Sequence, residues 1–151
     1  METGVVNPQQ HERFMKLALE EANQAFEKDE VPVGALLVYE QQIIARSHNL
    51  TELLNDVTAH AEMQIITMGA NYIGGKFLDQ CTLYVTLEPC NMCAGALFWS
   101  RIKTLVYGAS DEKRGYTTAG KNLLHPKTTV ISGLLDTECG DLLKRFFEGK
   151  R

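Results

Sequence analysis

The chain is poor in every feature that would place it in a membrane, in an oxidising compartment or along the whole surface of a nucleic acid. No apolar run among its 151 residues approaches the ~20 that a bilayer-spanning helix needs. Met1–Gln10 lacks the apolar centre of a signal peptide. A cytoplasmic protein with no membrane partner is therefore expected. Cysteine is scarce at four residues, and in a reducing compartment such thiols serve as metal ligands or buried core rather than disulfides. Positive charge is not in excess either. Fifteen Lys and Arg stand against 19 Asp and Glu, for a net charge of −4, which excludes a protein that coats nucleic acid with its whole surface. Local basic clusters remain at Lys113 and Arg114 and at Lys144, Arg145, Lys150 and Arg151. With no repeat and no low-complexity segment, and with 44% hydrophobic and 23% charged residues, one globular domain spanning 1–151 is expected.

What is present is concentrated in two short motifs. His60-Ala61-Glu62 is followed by Pro89-Cys90-Asn91-Met92-Cys93, which together supply one imidazole, two thiolates and a carboxylate. Zinc takes such nitrogen and sulfur donors. A structural zinc site is closed by four protein ligands, whereas a catalytic one keeps a position for water. His60, Cys90 and Cys93 thus read as ligands of one Zn2+ per subunit. Glu62 is left for general acid/base work on the attacking water and the leaving group. A Cys-x-x-Cys pair alone also suits a redox centre or half of a structural knuckle. The first of these needs no His-x-Glu, and the second wants a fourth ligand. Cys81 and Cys139 are expected in the core.

Apolar periodicity predicts a helix from about Gln9 to Lys28. A hairpin of Ala35–Tyr39 with Ile43–Arg46 follows, then a polar connector over Asn49–Asp56. A second helix is expected from a Thr58 cap to about Tyr72, with Met63, Ile66 and Ala70 on its apolar side. Cys81–Thr86 reads as a strand and Cys90–Ser100 as a helix with Pro89 in its first turn. Strands at Lys103–Tyr107 and Thr128–Ile131 and a closing helix at Thr137–Phe147 complete the pattern. Asp111–Lys127 has no predicted element. This order gives an α/β, three-layer α/β/α fold with a mixed, about five-stranded sheet. His60 and Glu62, two apart, can share a site only just beyond a helix N-terminus. Cys90 and Cys93 lie on one face of another first turn, so two helix N-termini should converge.

These motifs resemble the cytidine deaminase-like superfamily and, within it, the bacterial tRNA-specific adenosine deaminases. The resemblance covers nearly the whole chain. It is carried by Glu30-Val31-Pro32-Val33-Gly34-Ala35, by Asp56-Val57-Thr58-Ala59-His60-Ala61-Glu62, by Leu83 through Ala96, by Tyr107-Gly108-Ala109-Ser110-Asp111 and by Phe146-Phe147. It implies hydrolytic deamination of adenosine to inosine at the first anticodon position of tRNA, through a zinc-activated water with Glu62 as proton shuttle, in a homodimer. The anticodon stem-loop would be the partner. Asn49, Val33, Ala61 and Asp111 would touch the substrate, with Lys113, Arg114, Phe147, Lys150 and Arg151 as possible RNA contacts. Val57 stands where many relatives have proline, a change expected to alter loop stiffness. Two rival functions share the motifs: a deaminase of free nucleobases or nucleosides, such as guanine or cytosine, and an inactive zinc-stabilised binding subunit.

Overall fold

A computed structural model describes residues 7–150. Its element order is α1 (Pro8–Glu27), β1 (Gly34–Tyr39), β2 (Gln42–His48), α2 (Ala61–Ile73), β3 (Cys81–Leu87), α3 (Asn91–Ser100), β4 (Thr104–Ala109), a 3-10 turn at Tyr116–Ala119, β5 (Thr129–Ser132) and α4 (Asp136–Glu148). The five strands form one sheet in the order β2-β1-β3-β4-β5. β1 runs antiparallel to β2 and β3, while β3, β4 and β5 are parallel, so the sheet is mixed.

Alternation along the central strands sorts their side chains into two cores. Leu36, Val38, Tyr84 and Val106 face Phe14, Met15 and Ala18 of α1 and Cys139 of α4. Their neighbours Leu37, Leu83, Val85, Leu105 and Tyr107 face Ile65 of α2 and Ala94 and Leu97 of α3. The result is the expected α/β/α sandwich. The two parallel connections, β3 to β4 through α3 and β4 to β5 through the loop with the 3-10 turn, leave the carboxyl ends of β3 and β4 open on one edge, where ligands of open α/β sheets gather. Cys81 and Cys139 are each 1% exposed, in keeping with a core role. Among the described residues no helix is long and apolar enough to cross a membrane.

α1 is where it was expected, with Asn7 as its cap: its side chain and that of Gln10 close a reciprocal capping box. Several local expectations are corrected. α2 starts at Ala61 with His60 at the cap, whereas Thr58 donates its N–H and hydroxyl to Asp56 in a turn. Pro89 lies just before the Cys90 cap of α3 instead of in its first turn. The buried side of α2 carries Ala61, Glu62, Ile65 and Gly69; Met63, Ile66 and Ala70 are only half-buried. The cause is a close approach. A Cβ at position 69 would overlap the Leu37 side chain, so the helix rolls to bring its glycine onto the sheet. Trp99 is 76% exposed and does not belong to either core.

Candidate metal and active site

The site forms where two helices begin. His60 caps α2 with φ −68° and ψ 153°, and Cys90 caps α3 with φ −74° and ψ 175°. Because a cap residue has extended backbone, its side chain is not bound by the helical wheel. His60 and Glu62 can therefore face one point although they are two residues apart. The first amide groups and the positive ends of both helices are thus directed at the same place.

His60 Nδ1 lies 3.7 Å from Cys90 Sγ and 3.6 Å from Cys93 Sγ. The ligand atoms of the three residues all fall within 4.8 Å of one another, and among the described residues no fourth His, Cys, Asp or Glu joins the group. A tetrahedral zinc with ordinary Zn–S and Zn–N bonds would hold its sulfur and nitrogen ligands roughly 3.6 Å apart. The donor set fits that ion without rearrangement. It also fits by chemistry, since two thiolates and an imidazole select a soft or borderline metal over magnesium or calcium.

The electrostatics favour a ligand-ready sulfur at Cys90. A hydrogen bond from the Cys93 thiol, seconded by one from His60, holds Cys90 down at about 3 despite the opposing effect of burial. The bond with Cys90 in turn raises His60, and the bond to Cys90 followed by burial raises Cys93. Burial pushes the Glu62 carboxyl up to about 7, against the pull of its backbone hydrogen bond and of His60. Glu62 is 4% exposed and stands beside the donor group without belonging to it.

These residues open onto a cavity of about 480 Å³, a volume usual for small-molecule sites. Of the residues singled out in the sequence, Val33, Asn49, His60, Ala61, Glu62, Cys90, Asp111 and Arg114 line it. Cys93 is fully buried behind it. The structure does not bring the remaining candidates there. Lys113 is exposed on the loop. Phe147 is half exposed on α4, edge-on to the buried Phe146. Lys150 is paired with Asp29 and lies over the Phe146 ring. Arg151 lies outside the described residues.

Other lining residues escaped the sequence reading: Val31, Thr51, Val57, Leu87, Glu88 and Met92. Glu88 and Met92 carried a signal, their places beside and within Pro89-Cys90-Asn91-Met92-Cys93. Also unforeseen is a buried chain beneath Asn49. His48 Nδ1 meets Glu21 Oε1 at 2.9 Å and its Nε2 meets Lys28 Nζ at 3.0 Å. Gln64 Nε2 donates to the His48 carbonyl at 2.7 Å, and Ser47 Oγ donates to the Ala61 carbonyl at 2.7 Å. These bonds fix the end of β2, and so Asn49, against the start of α2.

A sheet edge where a non-ligating carboxylate stands beside three metal-type donors defines a hydrolase of the metal-assisted class. Residues 9–148 match the model of the MafB19-like deaminase family. The chain is 48% identical to a tRNA-specific adenosine deaminase of Agrobacterium fabrum, over 91% of this chain and 94% of that one. It is 50% identical to the enzyme of that name from Aquifex aeolicus, over 93% and 95%. It also superposes, with a TM-score of 0.81 and 47% identity, on a structure from a study of A-to-I editing by tRNA:A34 deaminases at the wobble position of transfer RNA; that match covers 86% of this chain and 98% of the other. The chain belongs to the MafB19-like deaminase family and, within it, to the tRNA-specific adenosine deaminases.

Proposed function

We propose that this enzyme hydrolyses the 6-amino group of adenosine at the first anticodon position of tRNA, leaving inosine and releasing ammonia. The observation that supports it most is Glu62: a buried carboxylate kept out of the ligand group, at the wall of an open cavity and next to three zinc-type donors. A purely structural zinc site has no use for such a group, which disfavours an inactive binding subunit.

His60, Cys90 and Cys93 would hold the zinc, which when bound supplies Lewis-acid activation of a water molecule. Glu62 would accept a proton from the attacking water as the C6–O bond forms and return it to the amine, so that the C6–N bond then breaks and ammonia leaves. Asn49 would hydrogen-bond the base, with Val33 and Ala61 shaping the walls around it. A base reaches such a pocket only when turned out of its stack, which costs least in an unpaired loop.

An assay that offers an anticodon stem-loop beside free adenine, guanine and cytosine tests the reading. Inosine should map to the first anticodon position, with a specificity constant for the stem-loop far above that for any free base. A higher constant for free guanine or cytosine would reverse the assignment. The surface cations make a separate prediction. Arg114 lines the cavity, and in this reading its guanidinium contacts a substrate phosphate. Stem-loop affinity should then fall with rising salt, and Arg114→Gln should reduce the log–log slope by about 0.7, the value for one contact to a single strand. An unchanged slope would remove Arg114 from the interface.

A further inference from the structure

Two buried glutamates lie outside the chemistry just described, and they hold matching places. Glu30 is 1% exposed and Glu88 is 3% exposed. Glu30 immediately precedes Val31-Pro32-Val33, whose two valines line the cavity; Glu88 immediately precedes Pro89-Cys90, which supplies a metal-type donor. Glu88 lines the cavity and Glu30 adjoins its lining residue Val31, and each reaches to a loop that contributes to the rim.

Glu30 Oε1 accepts the Glu52 N–H at 3.0 Å and its Oε2 accepts the Leu53 N–H at 2.6 Å. The loop so tied carries Thr51 and Val57, both of which line the cavity. Glu88 Oε1 accepts the Asp111 N–H at 3.0 Å, while Oε2 accepts the N–H and hydroxyl of Thr117 at 3.0 and 2.7 Å. That second loop carries Asp111 and Arg114. It is seated further by a Cys90–Gly115 bridge and by the Tyr116 N–H donating to the Pro89 carbonyl at 2.9 Å. Position 115 admits no side chain, because a Cβ there would overlap the Glu88 carboxyl group.

We infer that Glu30 and Glu88 are positioning residues, each using both carboxylate oxygens to fix one rim of the substrate cavity to the segment beside it that carries lining residues. The inference rests on the proposed deaminase reading and adds to it the means by which the two substrate-facing loops are held. Loops of this length, 51–57 and 111–117, would otherwise sample many conformations, and a substrate would have to order them on binding. A carboxylate that accepts at both oxygens cannot be replaced by its isostere. The glutamine amide presents a donor where one oxygen was, facing an N–H that needs an acceptor.

Glu88→Gln and Glu30→Gln, each in the full zinc-loaded chain, test the inference through amide exchange, zinc content and steady-state kinetics on the stem-loop. In Glu88→Gln, exchange should quicken in 110–118 and not in 50–57; Glu30→Gln should show the reverse. For each, zinc content should stay at the wild-type level and KM should rise about tenfold, with kcat falling less than about threefold. Unchanged exchange in both loops, or an unchanged KM, would overturn the inference. So would loss of zinc with a collapse of kcat, which marks a support of the metal group instead. Should Glu88→Gln fail to fold, Thr117→Val removes one of the three bonds and should shift exchange and KM in the same direction, KM by about threefold; no shift would count equally against the role. A wild-type enzyme inert on RNA would sink the proposed function, while the loop-specific exchange would still decide the inference.

Discussion

Glu62→Gln yields a folded, metal-loaded protein that releases ammonia about 10³-fold more slowly than wild type, a rise in barrier of about 4 kcal/mol. The substitution keeps the shape of the side chain and removes its capacity to take up a proton. Because Glu62 is not one of the grouped donors, the metal should remain at the wild-type level. Burial lifts its carboxyl to about 7, close to the range in which a group can both accept and return a proton at neutral pH. The side chain is nearly inaccessible to solvent, so bulk buffer is a poor substitute for it. Zinc analysis, circular dichroism and single-turnover ammonia release together decide the matter. Turnover at the wild-type rate would remove Glu62 from the chemistry, and loss of zinc would make it a ligand.

Removal of the metal should abolish activity outright. A chelator that strips one equivalent of zinc per chain leaves no measurable deamination, and zinc restores it where magnesium does not. The reason lies in the donors: sulfur and imidazole match zinc, whereas magnesium demands six hard oxygen ligands. Cys93→Ser should weaken zinc binding by more than about a hundredfold, since loss of supporting contacts around a metal already costs 10- to 100-fold (roughly) and here a ligand itself is changed. Cys93 is fully buried, so an unsatisfied hydroxyl there should also lower thermal stability. Elemental analysis and melting curves with and without chelator provide the checks. Full activity surviving chelation, in protein shown to be free of transition metal, would end the metal-dependent account.

The donor group was legible in the sequence because its members come as two tight clusters, His60-x-Glu62 and Cys90-x-x-Cys93. In each, local backbone geometry nearly fixes the relative placement. The long β2–α2 connector and the 111–127 loop were not readable in this way. Their shape depends on Glu30 and Glu88, which lie about 22 and 23–29 positions away from the amides they bind. Lys150 likewise looked free to meet phosphate by composition, yet its partner Asp29 stands 121 positions earlier.

Sequence by itself determined the alternation of strands and helices, the identity of the metal-type donors and the convergence of two helix starts, because each follows from periodicity or spacing within a few residues. Tertiary packing alone decided which face of α2 turns inward, where Thr58 bonds, and how the two rims of the cavity are held. Those outcomes rest on approaches such as Gly69 against Leu37, and on amide groups met by carboxylates from distant segments. No short-range pattern encodes a contact whose two halves are brought together only when the sheet has closed.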